Sequence, residues 1–399
     1  MANRGRLAFM NIPRPHLCLV LLAVIAVSGC GTARKSIYTN EELLDKIQPR
    51  LTEQDRERFL LPFAISPEVR DTARRAVKGL ADDYSKVVEL VDLIMDRARL
   101  HVIYDRGASL SADEVFQGGV ANCLSFTNLF IAMAREVGLE AVFVDVIEVE
   151  EIDATGEIIV HSGHICGGVF QNNTFMLIDF APDPMRRYVR YTIIDDIEAI
   201  AHFYNNLGYQ AGVAGDNGMD IEYYRMATRI KPDFSKAYNN LGVALTQRGQ
   251  FDDAEAAYHQ AISLSPNFGE AYGNLANLYF YRQNYRMAME HYRKAVKYST
   301  TDYYFHSRLG SVYLAMEKYD GAIQEFRKAL RRKPGYPPAL NGLGLAFFHK
   351  GDYSRAVDYL KKAVARDPAY KEAAKNLAYI LNHMKYKDAP MTSPGDHEP

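Results

Sequence analysis

Past residue 200 the apolar positions recur at a fixed spacing. Counted in steps of 34 from residue 201, blocks begin at 201, 235, 269, 303 and 337. Gly208, Gly242, Ala276, Gly310 and Gly344 share one small-residue column. Ala254, Ala288, Ala322 and Ala356 share a second, and Ala227, Ala261, Ala295, Ala329 and Ala363 a third. Tyr224, Tyr258, Tyr292 and Phe326 form an aromatic column that ends in Leu360. Pro232, Pro266, Pro334 and Pro368 close four blocks, and Thr300 holds that place in the other. Small residues at helical spacing let two helices approach closely, and bulky rings fill the gaps that remain. A proline then ends each unit, so the pattern predicts stacked helix pairs. Block 201–234 fits least well, with Asp220 at a small-residue position and glycines in AGVAGDNGMD at the turn. Tyr370 to Lys385 predicts an amphipathic helix covering the last repeat, and the polar tail 387–399 is expected to be disordered.

Upstream the pattern does not repeat. Ser66-Pro67-Glu68 predicts a helix start with proline at the first helical position, running towards Gly79. Asp83 to Leu100 has helical periodicity. Ser111 and Glu114 have capping-box spacing ahead of Gly118-Gly119. Asn122 predicts the cap of a mostly buried helix over 123–137, stopped by Gly138. The period then changes to two. Ala141–Val149 reads as a strand, 153–156 as a turn and 157–170 as its return, with further strands at 174–180 and 191–194. Helices followed by an antiparallel sheet make an α+β domain, placed at 41–198, ahead of an all-α repeat array at 199–386.

The N-terminus reads as a targeting segment. Arg4, Arg6 and Arg14 precede an apolar run from Leu17 to Val27, too short to span a bilayer as a helix. The run ends in Val27-Ser28-Gly29-Cys30, which resembles the lipobox of bacterial lipoproteins. That resemblance implies a signal peptide at 1–29, lipidation of Cys30 and a linker over 30–40. A membrane anchor in the cell envelope follows, and Thr32 favours the outer membrane facing the periplasm. A plain signal-peptidase site or a short membrane anchor is the alternative.

Composition narrows the classes further. The chain has 399 residues, 48% hydrophobic and 24% charged, with a net charge of −2. Neither a basic arm nor an interleaved basic and aromatic patch points to nucleic acid. Of the four cysteines, Cys18 would leave with the signal and Cys30 would carry lipid, which leaves Cys123 and Cys166. In an oxidising compartment those two could form a disulfide. Alternatively Cys123 is a small core residue.

A third reading concerns chemistry. At the first turn of a helix, free N–H groups and the helix dipole favour a thiolate at Cys123. A nucleophile needs a general base, and the base needs an orienting group. HSGHICGGVF supplies His164 and MLIDFAP supplies Asp179, on neighbouring strands. With VANCLSFTNLFIAMAREVGLEA, these segments resemble the transglutaminase-like domain of the papain-type superfamily over about residues 85–195. The resemblance implies a Cys123, His164, Asp179 triad and a papain-like fold. Two positions depart from it: Cys166 stands where the family often has Trp, and Phe180 where it has Pro. Gln117 lies at the spacing of a papain-like oxyanion glutamine and could instead be a surface helix residue. No clustering of histidines and acidic residues indicates a metal, and no cofactor motif is present.

The repeats resemble tetratricopeptide (TPR) repeats. Asn206, Asn240, Asn274 and Arg308 occupy the column that generally faces the groove, so a protein or peptide partner is expected there. Asn is also common in the generic repeat at this position. The combined reading is a lipid-anchored envelope protein with a cysteine-hydrolase domain and a TPR module recruiting a protein. The alternative is a non-catalytic TPR scaffold whose first domain has kept its fold without activity.

Overall fold

The computed structural model describes residues 8–10, 21–26, 37–147, 164–171, 174–180, 190–216, 218–299 and 302–387. Cys30, the turn expected at 153–156 and the tail beyond Lys387 lie outside the described residues. The chain divides into two compact units, one running to Arg248 and the other starting at Gly249.

The first unit opens with strands β1 (Ala8–Met10) and β2 (Leu21–Ala26). Helices α1 (Asn40–Ile47) and α2 (Glu53–Arg58) follow, each with a capping box, Thr39 with Glu42 and Thr52 with Asp55. Helix α3 (Pro67–Ala76) starts as expected, but Ser66 caps nothing with its side chain, and its N–H donates to Asp113 instead. Helix α4 (Asp83–Met95) stops five residues short of the expected Leu100. Asp96 accounts for this: its side chain accepts from Ala98 N at 2.7 Å, a local turn that competes with the next helical bond.

A two-residue parallel ladder joins β3 (Ile103–Tyr104) to β4 (Val120–Ala121), across helix α5 (Ala112–Gly118). Ser111 and Glu114 form the expected capping box, and Gly119 takes the left-handed C-cap at φ 64°. Helix α6 (Cys123–Glu136) is buried along nearly its whole length. Strands β5 (Glu140–Ile147), β6 (His164–Gln171), β7 (Thr174–Asp179) and β8 (Arg190–Ile194) complete an antiparallel six-stranded sheet in the order β1-β2-β7-β6-β5-β8.

Alternation along the strands builds two apolar layers. Ala141, Phe143, Ile165, Val169, Met176 and Ile178 join the main core with α6. Val142, Val144, Val146, Cys166, Phe175 and Leu177 form a smaller cluster. Gly167 and Gly168 make this packing possible. A Cβ on Gly167 would stand 3.0 Å from Phe130, and one on Gly168 only 2.3 Å from the Phe175 ring.

Helices α7 (Asp196–Ala214), α8 (Met219–Ile230) and α9 (Ser235–Gln247) belong to the same unit. The limit expected at 198/199 marks a change of architecture, not the edge of the core. Ile200, Phe203, Tyr204, Ile230 and Phe234 share one apolar cluster with α3, α4 and α6. Three buried aspartates add polar ties: Asp196 with Arg135, Asp55 with Arg229, and Asp220 with Arg248. The last pair explains the irregular first repeat, because Asp220 is buried and held bidentately by Arg248.

The second unit holds four helix pairs or parts of them and a final helix: α10 (Phe251–Leu264), α11 (Gly269–Tyr281), α12 (Tyr285–Tyr298), α13 (Asp302–Ala315), α14 (Tyr319–Arg332), α15 (Pro337–His349), α16 (Tyr353–Arg366) and α17 (Lys371–Lys387). The sequence columns meet in space. A Cβ on Gly310 would lie 2.7 Å from Phe326, and one on Gly344 2.6 Å from Leu360, so the small column receives the bulky one. In the first unit Gly208 meets Tyr224 in the same way, at 2.7 Å. Among the described residues no helix is long and apolar enough to cross a membrane.

Candidate active site

The site begins with the loop that holds the start of α6. Parallel pairing of β3 with β4 brings the 105–111 loop beside Asn122. The Asn122 side chain accepts from Ser125 N at 2.9 Å, the expected cap, and its amide donates to Ser109 Oγ at 2.7 Å. Ser125 Oγ donates to Ala108 O and accepts from Leu110 N. The first turn of α6 is therefore bound on its outer side by a loop with no sequence signature of its own. Cys123 is the first residue of this helix and half-buried.

Thr127 couples that turn to the sheet. Its hydroxyl donates to Cys123 O at 2.8 Å and lies 3.2 Å from Ile165 O, so one hydrogen is shared between helix and strand. Ile165 is the neighbour of His164, and the Cys123 side chain is near enough to the His164 ring to raise its pKa. The ring's Nε2 lies 3.0 Å from Asp179 Oδ1 and 3.2 Å from Cys166 Sγ. The carboxylate can only accept, so Nε2 carries a proton. Phe180 ends β7 by stacking on Phe126 of α6, at 5.2 Å between ring centroids, and anchors the strand that carries Asp179.

Burial resists charge on this imidazole. The neighbouring Cys166, and after it the hydrogen bonds with Asp179 and Cys123, outweigh it and hold His164 well above the usual histidine value. The Cys166 thiol is wholly buried, which pushes its pKa up and keeps it neutral. Cys123 and Cys166 are both free thiols.

The expected Cys123, His164 and Asp179 thus come together. Gln117 is exposed on α5. The expectation that no ligand cluster exists is corrected: the side chains of His164, Cys166 and Asp179 offer donor atoms within 4.8 Å of one another. Pairing of β6 with β7 assembles them, which spacing along the chain did not reveal. The expected asparagine column is more internal than a row of open groove amides. Asn240 and Asn274 are buried, and Asn240 donates to Asn205 at 3.0 Å. Asn206 is half-buried, and Arg308 donates to Tyr304 within its own helix. Ser109, Ser125 and Thr127 complete the site with no distinguishing signal in the sequence.

Comparison with known proteins agrees with this architecture. The model of the transglutaminase-like superfamily matches residues 70–180. Tetratricopeptide-repeat models match 235–268, 269–302 and 307–371. The chain carries a transglutaminase-like domain followed by TPR repeats, a protein-interaction module. Among solved structures, a crystal structure of MamA protein is 27% identical, with a TM-score of 0.37, covering 44% of this chain and 94% of its own. YrrB, a TPR protein with an unusual peptide-binding site, is 18% identical at a TM-score of 0.37, covering 46% of this chain and 92% of its own. A thermophilic TPR protein of Thermus thermophilus is 19% identical at a TM-score of 0.40, covering 46% of this chain and 99% of its own. No curated protein matches the chain.

Proposed function

We propose that this is a lipid-anchored cell-envelope protein whose transglutaminase-like domain cleaves amide bonds through Cys123, while its TPR repeats recruit a protein substrate or partner. The observation that carries the catalytic reading is the buried His164–Asp179 pair, 3.0 Å apart, hydrogen-bonded to a cysteine at the start of a helix.

Each group has one task. The raised pKa of His164 favours the form in which the ring holds the proton of Cys123, and the sulfur attacks the amide carbonyl carbon. The backbone N–H groups at the start of α6 face the developing oxyanion. Imidazolium then returns its proton to the leaving nitrogen, the C–N bond breaks and a thioester remains. Water, deprotonated by the same imidazole, releases the acid and restores the thiol. Asp179 keeps the ring oriented and stabilises the imidazolium throughout. Hydrolysis is favoured over transfer to an amine, which would need a site that excludes water and holds the acceptor.

The lipobox-like Val27-Ser28-Gly29-Cys30 supports the anchor and an outer-membrane, periplasm-facing location. Removal of 1–29 would also remove β1 and β2 and leave β7 as an edge of the sheet, with its β6 pairing intact. A panel of fluorogenic peptide amides tests the activity. Cleavage by the parent protein, lost by about 100-fold or more in Cys123→Ala, supports it. Equal turnover by both proteins refutes it.

A second reading has Cys166 and Phe180 as its motive, the two positions where the resemblance expects Trp and Pro. In that reading the domain is an inactive scaffold. Full function of Cys123→Ala in the producing cell would favour it.

A further inference from the structure

Cys166 is the side chain of this site that the proposed reaction does not use. Its sulfur lies 3.2 Å from His164 Nε2, and Asp179 Oδ1 lies 3.0 Å from the same nitrogen. All three donor atoms fall within 4.8 Å of one another, and all three residues are more than nine-tenths buried. In a tetrahedral zinc site with bonds of about 2.0 to 2.3 Å, neighbouring donors stand about 3.3 to 3.6 Å apart. The two distances to Nε2 come within a few tenths of an ångström of that spacing.

We propose that His164 Nε2, Cys166 Sγ and Asp179 Oδ1 form a three-ligand site for a borderline-soft divalent cation of the Zn2+ type, with water as the fourth ligand. The donor set selects the metal class. Thiolate with imidazole suits zinc and its first-row neighbours, whereas calcium and magnesium need oxygen ligands. On binding, the Cys166 thiol gives its proton to solvent and the ring keeps one proton, on Nδ1. A ring bound through Nε2 with Nδ1 protonated has no lone pair for the Cys123 thiol, so the loaded protein cannot run the proposed hydrolysis. That consequence rests on the hydrolase reading; the site itself does not.

The test titrates the reduced full-length protein with Co2+ as an optical probe, then with Zn2+ as competitor. A thiolate-to-cobalt charge-transfer band and the intense visible bands of tetrahedral cobalt are expected, both displaced by Zn2+. Cys166→Ser should remove the charge-transfer band and weaken binding by about tenfold or more, at least the loss seen on removing outer-shell partners. Asp179→Asn should weaken binding but keep the band, and Cys123→Ala should keep both. A band that survives Cys166→Ser and vanishes in Cys123→Ala puts the metal on the nucleophile alone and overturns the proposal. So does a folded parent protein without the band. Zinc-edge EXAFS of the parent needs no variant: one sulfur at about 2.3 Å with nitrogen and oxygen at about 2.0 Å is expected, and no sulfur overturns the site. Should Cys123 of the metal-free protein alkylate no faster than a free thiol while added Co2+ still gives the Cys166-dependent band, the hydrolase reading fails and the metal site stands.

Discussion

Thr127 is where the chemistry of one residue reaches furthest. Its single hydroxyl proton serves Cys123 O on the helix and Ile165 O on the strand, so it ties the turn that begins with Cys123 to the strand that carries His164. Thr127→Val keeps the shape and removes the donor, leaving Ile165 O without that partner. We expect a loss of about 1 to 3 kcal/mol in urea denaturation and slower alkylation of Cys123, with Thr127→Ser restoring both. Restored stability without restored alkylation would mean that Thr127 supports the fold only. This residue was not legible in the sequence, because a threonine inside an apolar helix looks like any other core position. Asn122 and Cys123 were legible, because a cap and the residue after it are a local signal. His164 and Asp179 were legible once two neighbouring strands had been read. Strand alternation puts Cys166 on the face of His164, but its contact with Nε2 and its place in a ligand cluster needed the folded sheet.

At the scale of elements, β6 is the strand on which the site depends. Gly168 sits against Phe175, itself held between Phe170 and Tyr191. Gly168→Ala would drive a methyl into that ring, and overpacking of this kind costs about 1 to 3 kcal/mol. We expect a lower urea midpoint, with slower Cys123 alkylation because β6 carries His164.

Helix α12 makes a different claim. Burial, then the nearby Lys294 charge, push His291 down to about 4, and it lies stacked against Tyr279. An unfolded histidine titrates near 6.5. Between those values the unfolded chain takes up a proton that the folded one refuses. Stability is therefore expected to fall as pH drops from about 6.5 towards 4 and to level off below. Denaturation at pH 7 and pH 4.5 should show this loss, and His291→Phe should reduce it. An unchanged loss in the variant would place the acid sensitivity elsewhere.

Element boundaries show where the sequence was silent. The helix α4 pattern continued to Leu100 because Leu100 keeps the apolar phase beyond the turn at Asp96. The β3–β4 ladder is two residues long and has no period to read. Helices α1 and α2 carry the capping spacings Thr39-x-x-Glu42 and Thr52-x-x-Asp55, a weak signal because neither is followed by a long apolar run.

At the scale of the whole molecule, the repeat period located the TPR array but misjudged its first member. Helices α7 and α8 keep the 34-residue columns while burying Phe203, Tyr204 and Ile230 with the core of the transglutaminase-like domain. Sequence columns report which faces are apolar, not which neighbour covers them. A fragment of residues 37–198 would leave that surface bare and part the buried Asp55 from Arg229. We expect it to aggregate, whereas 37–248 should unfold cooperatively. Equal stability of the two fragments would contradict the shared core. Arg135→Gln in the full chain strands the buried Asp196 and should cost about 3 to 5 kcal/mol.

The central claim is that Cys123 is an activated nucleophile served by His164 and Asp179. The most direct measurement is the rate of iodoacetamide alkylation at Cys123 at neutral pH, read by mass spectrometry in the parent protein and in His164→Ala. A parent rate well above that of a free thiol, falling by about tenfold or more in the variant, is the expected result. A parent rate no faster than a free thiol and unchanged in His164→Ala would contradict it.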